Sequence, residues 1–362
     1  MRRRRLLGLA AGAALAQGCR LLPTSAGGID PDDLEGVAAA LVDGGQYIDG
    51  IPSIDAPDYV TSGAQMMPSS FFAPRMGEYD DEDVVDGVVP ADGTPRAYPR
   101  FITEWHEVVN DTFVGEPVSI TYCPLTGSTL VYSGRLAGGT QTVFTTSGRL
   151  YNSNLVLADR DTLSFWPQLL GVAVSGDRRG ERLRQLPIAV TTSWGRWKAL
   201  YPTTLVLTTR TGRLRPYRSS PYGRDYPTDT TVLFPLTSRD GRYPPKRVVL
   251  GVRTPEGAVA IDKAAALERR LTTFELGGEA FVALFDEDLG VARVFRARLR
   301  ETTLRFRQEG AAVVDEESRS RWSHMGVALA GPLVTQRLEA VPAPEVFWFA
   351  WYATYPRTLV VG

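Results

Sequence analysis

Apolar and polar residues alternate with a period of two over many short stretches, the signature of strands with one buried face. The pattern predicts strands at Val84–Val89, Val118–Tyr122, Thr129–Ser133, Thr142–Thr146, Asn154–Ala158 and Thr204–Thr208. Helical spacing is rarer. It predicts a short helix over Asp32–Leu41, a helix over Arg100–Asn110 starting after Pro99, and a helix over Ser193–Tyr201 stopping before Pro202, since proline opens or ends a helix but does not continue one. Thirty-five Gly and 25 Pro supply the chain reversals that many short strands need. No apolar run after residue 20 reaches membrane-spanning length, and sustained heptads are absent, which excludes a helical membrane bundle and a coiled coil from that stretch.

The pattern repeats. Gly115-Glu116-Pro117-Val118-Ser119-Ile120-Thr121-Tyr122 reads against Gly278-Glu279-Ala280-Phe281-Val282-Ala283-Leu284-Phe285, an offset of 163 that also pairs Gly127 with Gly290 and Val131 with Val294. Further on the offset falls to between 154 and 156, pairing Trp166 with Trp322, Gly176 with Gly331, Tyr201-Pro202 with Tyr355-Pro356 and Thr204-Leu205-Val206 with Thr358-Leu359-Val360. The predicted fold class is therefore α+β and β-rich, two tandem copies of one unit packed as a pseudo-dimer, because strands with one apolar face need a partner layer. The expected organisation is a signal peptide over 1–18, a tether and covering segment over 19–83, a first repeat over 84–208, a linker over 209–246 and a second repeat over 247–362. The linker is rich in Arg, Pro, Ser and Tyr, and a loop of that length in a compact domain is functional or unstructured more often than incidental.

Charge and cysteine content place the protein in the cell. Arg2 to Arg5 precede an apolar stretch from Leu6 to Leu15, and small residues lead to Ala16-Gln17-Gly18-Cys19. A basic start, a short apolar core and a small-residue end describe a secretory signal, and the arginine run resembles a twin-arginine export signal. Leu15 to Cys19 resembles a lipobox, which implies a lipid on Cys19 and a protein tethered to the outer face of the membrane or held in the periplasm. Ala16 and Gln17 depart from the commonest lipobox residues. Cys123 is then left without an intramolecular partner, and the core rather than disulfides must stabilise the fold. Net charge is −1, so nucleic acid is not an expected partner. The expected partners are the membrane, through the lipid, and a small-molecule or surface ligand.

The first repeat carries specific strings: Arg96-Ala97-Tyr98-Pro99, Trp105-His106-Glu107-Val108-Val109-Asn110-Asp111, Thr121-Tyr122-Cys123-Pro124-Leu125-Thr126-Gly127-Ser128, Ser147-Gly148-Arg149-Leu150-Tyr151-Asn152-Ser153-Asn154 and Trp194-Gly195-Arg196-Trp197. With Phe347-Trp348-Phe349-Ala350-Trp351 they resemble the domain-of-unknown-function family 3179, over roughly residues 51–362. The resemblance implies exported or lipid-anchored proteins of bacteria and archaea and supplies no activity. Many members of that family carry a second cysteine where this chain has Thr126, and some are selenoproteins. The resemblance thus hints at redox chemistry, while Thr126 argues against a dithiol cycle here.

The repeat is its own control, because polar residues present in one copy only are the better site candidates. At the 163 offset His106 faces Arg269, Glu107 faces Arg270, Asn110 faces Thr273, Asp111 faces Phe274 and Cys123 faces Asp286. His106, Asn110, Asp111, Cys123, Tyr151 and Asn152 are expected to converge on one polar groove in the first repeat, with Asn154 and Trp166 as further binding residues. On the expected helix His106 and Asn110 share a face. Cys123 with His106 reads as a thiol nucleophile with an imidazole neighbour or, with Asp111 nearby, as metal ligands. A metal ion is thus one cofactor alternative. The packing alternative has Cys123 as a small apolar core residue and His106 hydrogen-bonded inside. His324, which aligns with Gln168, reads as a packing residue, and Asp80 to Asp83 as a solvated acidic loop. The leading function is a surface binding or structural module; a thiol enzyme and a metal-binding protein are the alternatives.

Overall fold

The computed structural model describes residues 30–62, 79–90 and 93–362. The expectations for residues 1–29, including the export signal and Cys19, lie outside them. The described chain is β-rich with a few short helices, an α+β protein.

Two central sheets organise it. In the first, the strands run in the order 189–193, 84–88, 96–99, 205–207, 59–61, with 205–207 parallel to 96–99 and the other pairs antiparallel. In the second, the order is 345–347, 248–254, 257–262, 359–361, with 359–361 parallel to 257–262. A helix caps each sheet ahead of its parallel strand: Trp194–Leu200, with Ser193 accepting a hydrogen bond from the Arg196 N–H, and Trp348–Thr354. Each half also carries a meander, Val108–Phe113, Glu116–Cys123 and Ser128–Ser133 in the first, and Leu271–Leu276, Glu279–Asp286 and Val291–Arg296 in the second. A further small sheet follows in each, containing Phe144–Tyr151, Asn154–Asp159 and Phe165–Pro167, or Phe306–Glu309, Ala312–Asp315 and Arg321–Trp322.

Side-chain geometry recurs between the halves. The Trp166 Nε1–H donates to Asp159 at 3.0 Å and the Trp322 Nε1–H to Asp315 at 2.9 Å. The Trp197 Nε1–H donates to Thr204 Oγ1 at 3.0 Å and the Trp351 Nε1–H to Thr358 Oγ1 at 2.9 Å. Both latter indoles lie flat against a strand glycine: a Cβ at Gly87 would sit 2.2 Å from Trp197, and one at Gly251 2.3 Å from Trp351. Glycine is required at both positions because the ring occupies the side chain's space.

The halves do not keep separate cores. Phe144, Leu155, Leu157 and Trp166 of the first half share a cluster with Val249, Ala260, Trp348 and Tyr355 of the second. In return Leu289 and Val291 of the second half pack with Val85, Trp194 and Trp197 of the first.

The expected helix over Arg100–Asn110 is a correction. Only Arg100–Thr103 is helical, and residues 108–113 form a strand. Consecutive β-branched Val108 and Val109 lose side-chain freedom in a helix, and each is fully buried in a sheet instead. Glu107, at φ 58°, makes the left-handed break between the two elements. His106 and Asn110 therefore do not share a helix face.

Candidate functional site

His106 lies in the turn after the Arg100–Thr103 helix and is almost completely buried. Its Nδ1 is 2.8 Å from the Pro52 carbonyl and its Nε2 2.8 Å from the Tyr217 hydroxyl. Burial lowers its pKa below the ordinary imidazole value, against the Pro52 hydrogen bond, which favours the neutral ring. Both nitrogens are committed, and neither serves Cys123. Among the described residues no hydrogen bond joins His106 to Cys123.

Asn110 is saturated. Its amide nitrogen donates to Asp55 at 2.6 Å and to the Phe144 carbonyl at 2.8 Å, while its oxygen accepts from Ser119 at 2.6 Å and from the Phe144 N–H at 3.2 Å. Asp111 points elsewhere, accepting from Arg96 at 2.5 Å and from the Tyr98 and Tyr59 hydroxyls at 2.6 and 2.5 Å. Burial first, then the Asp111 charge, push the Tyr59 hydroxyl well above its ordinary pKa.

Cys123 ends the strand Glu116–Cys123 and is 1% exposed. Its sulfur accepts from the Leu155 N–H at 3.3 Å and faces the Ser153 carbonyl at 3.9 Å. Burial and then the Glu107 charge push the thiol up to about 11, against hydrogen bonds from Thr126 and Leu155 that favour the thiolate. Glu107, 6% exposed, accepts from the Tyr222 hydroxyl at 3.1 Å, and burial raises its carboxyl to about 7. The Tyr226 hydroxyl donates to the Leu125 carbonyl at 2.9 Å. Both tyrosines come from the linker, which thus closes over the thiol. In this conformation the centre holds a protonated, covered thiol beside a carboxyl that titrates near neutral pH.

Asn152 and Ser153, at φ 54° and 63°, form the two-residue turn of the hairpin joining Phe144–Tyr151 to Asn154–Asp159. A tight hairpin turn needs positive φ at both positions, so the strain belongs to the fold. Asn152 donates to the Ala353 carbonyl of the second half at 2.9 Å and accepts from the Thr237 N–H of the linker at 2.7 Å. Asn154 donates to Thr126 at 2.9 Å and to Gln168 at 2.8 Å. Tyr151 and Trp166 are buried in the shared core. Three of the expected site residues, Cys123, Tyr151 and Trp166, thus sit in one cluster. The asparagines spend their amides on holding the linker, the second half and the hairpins together.

The second half carries a cluster that the sequence treated as packing. His324 Nε2 lies 3.5 Å from Asp286, and with Asp288 these residues offer ligand atoms within 4.8 Å of one another. One imidazole and two carboxylates suit a divalent cation. Arg293 lies 3.3 Å from the same Asp286 oxygen and already compensates its charge, so a cation there has a competitor.

A cavity of about 1110 Å³ opens on the seam between the halves. Leu170 and Leu183 come from the first half, Arg253, Leu276 and Tyr355 from the second, and Arg182 and Arg357 add cationic groups to its lining. No sequence motif marks it, because its walls are assembled from strand ends and loops far apart in the chain.

The chain belongs to a family of proteins of unknown function: the family model for "Protein of unknown function (DUF3179)" matches residues 48–358. No curated protein and no solved structure matches the chain.

Proposed function

We propose that the protein is an exported, lipid-anchored ligand-binding protein of the cell surface. In this reading it is two copies of one α+β unit packed as a pseudo-dimer, and its ligand site is the groove between them. The four strands of the second central sheet repeat the order of four of the five in the first, which supports the duplication, as do the matched indole hydrogen bonds. The arginine run and Ala16-Gln17-Gly18-Cys19 support export and a lipid on Cys19.

One observation carries the binding reading. Of the polar groups expected to form a groove in the first repeat, His106, Asn110, Asp111 and Asn152 are taken up by internal hydrogen bonds, and among the described residues the Tyr151 hydroxyl is buried without a partner. The seam, in contrast, holds an open cavity of ligand size lined by both halves. Titration of the purified full chain with the neutral dye Nile red tests it. Saturable emission is expected from the wild type, and its loss is expected from Leu183→Trp, which fills the groove, at an unchanged thermal midpoint. No saturable binding by the wild type, or binding indifferent to Leu183→Trp, overturns the reading.

A second reading keeps a specific observation in its favour. The Cys123 sulfur already receives hydrogen bonds that stabilise a thiolate, and what opposes ionisation is burial and Glu107. Movement of the linker tyrosines away from Cys123 removes the burial and leaves those donors in place, which makes a thiol-centred activity gated by residues 209–246 the alternative.

A further inference from the structure

Arg253 is a cation of the seam groove with no carboxylate in direct contact among the described residues. Arg253 ends the strand Val248–Thr254 and lines the seam groove, half-buried. Its guanidinium donates to the Leu170 carbonyl across the seam and lies 5.6 Å from the centre of the Tyr355 ring. The Tyr355 hydroxyl is itself spent on the Leu169 carbonyl at 2.6 Å. The Tyr355 hydroxyl and then Asp32 favour its charged form, but among the described residues Arg253 forms no ion pair with a carboxylate. The two other arginines of the lining do: Arg182 pairs with Asp32 at 3.2 Å and Arg357 with Asp30 at 2.7 Å. Those pairs are solvent-exposed, so they are weak and exchange readily for other anions.

A guanidinium has five N–H donors, more than the Leu170 carbonyl and the Tyr355 hydroxyl take up. Arginine presents a planar fork that matches a carboxylate or a phosphate. Leu170, Leu183, Leu276, Pro255 and Pro356 give the groove apolar walls. Asp32 and Glu256 are the carboxylates of its lining, against three arginines, Arg182, Arg253 and Arg357. In the first central sheet the position equivalent to Arg253, two residues after Gly87 as Arg253 is two after Gly251, is Val89. The cation is therefore not needed to build the sheet.

We infer that the seam groove takes an amphipathic anion, a carboxylate or phosphate held by Arg253 with an apolar body lying along Leu170, Leu183 and Leu276. This rests on the reading of the groove as the ligand site. Arg182 and Arg357 at the same lining draw the anion in, and the apolar walls hold the chain that follows the headgroup. Either half alone lacks one wall.

Calorimetric titration of the purified full chain tests this with decanoate, decyl phosphate and decanol, each below its aggregation concentration. At least one of the two anions is expected to bind ten or more times more tightly than decanol, and the comparison between them tells a carboxylate site from a phosphate site. Arg253→Gln is expected to bring the preferred anion down to the decanol level, so that the ratio between the two falls to about one. Arg253→Lys, which keeps the charge and loses the fork, is expected to retain part of the preference and provides a reading if Arg253→Gln does not fold. Equal binding of all three probes by the wild type, still blocked by Leu183→Trp, overturns the anion inference and leaves the groove reading standing. Absence of binding by all three, together with failure of Nile red, overturns both.

Discussion

Replacing Glu107 with Gln should stabilise the protein, and the gain should depend on pH. The Glu107 carboxyl is buried under Tyr222 and its pKa is raised from 4.5 to about 7. Burial disfavours the charged form, so between those two values the folded state binds more protons than the unfolded state. Stability then falls as pH rises through that window and is flat above it. A shift of about 2.5 units at about 1.36 kcal/mol per unit gives roughly 3 kcal/mol lost between pH 4 and pH 8. Glutamine retains an oxygen to accept from Tyr222 and has nothing to ionise. Urea denaturation of both proteins, followed by tryptophan fluorescence, should show similar stabilities near pH 4 and an advantage of about 3 kcal/mol for Glu107→Gln at pH 8. A difference between the two proteins that stays constant within ~0.5 kcal/mol across that range would refute the buried-carboxyl account of the Cys123 centre.

The Cys123 thiol, raised to about 11, should be ionised roughly 300-fold less at pH 7.4 than a free thiol of pKa about 8.5. Iodoacetamide should therefore label it slowly in folded Cys19→Ser protein and at an ordinary rate in urea; rapid native labelling contradicts the closed linker. Gly87→Ala and Gly251→Ala should each destabilise by about 1–3 kcal/mol, since each Cβ meets an indole, and a large cost at one position with none at the other contradicts their equivalence. Mass spectrometry of the native protein should find Cys19 as a lipidated N-terminus, and unmodified Cys19 with its upstream residues intact contradicts the anchor.

How far the sequence could be read depended on the range of the interactions involved. Strands such as Val118–Tyr122 and Thr129–Ser133 were legible because their neighbours in the sheet are also neighbours in the chain. The Ser193–Tyr201 helix was legible from the proline that follows it, and the structure has it over Trp194–Leu200. The Arg100–Asn110 helix was misread because Pro99 is a valid helix start, whereas the stop is set by the left-handed turn at Glu107 and by burial of Val108 and Val109 in a sheet. Cys123 and Glu107 both stood out as residues of one half only, yet the tyrosines that cover them come from a linker about a hundred residues away. Linker composition hinted at a role and gave no partner. Arg253 carried no signal at all, because an arginine near a strand end is unremarkable until Leu170 and Tyr355 are brought beside it.

In the proposed reading one ligand site spans the seam. Photolysis of a diazirine-bearing decanoate with the full chain, followed by peptide mass spectrometry, tests it most directly. Label is expected on first-half peptides containing Leu170 or Leu183 and on second-half peptides containing Arg253, Leu276 or Tyr355, and excess decanoate should compete it away. Competable label confined to one half, or lying away from these residues, would contradict a site built by both.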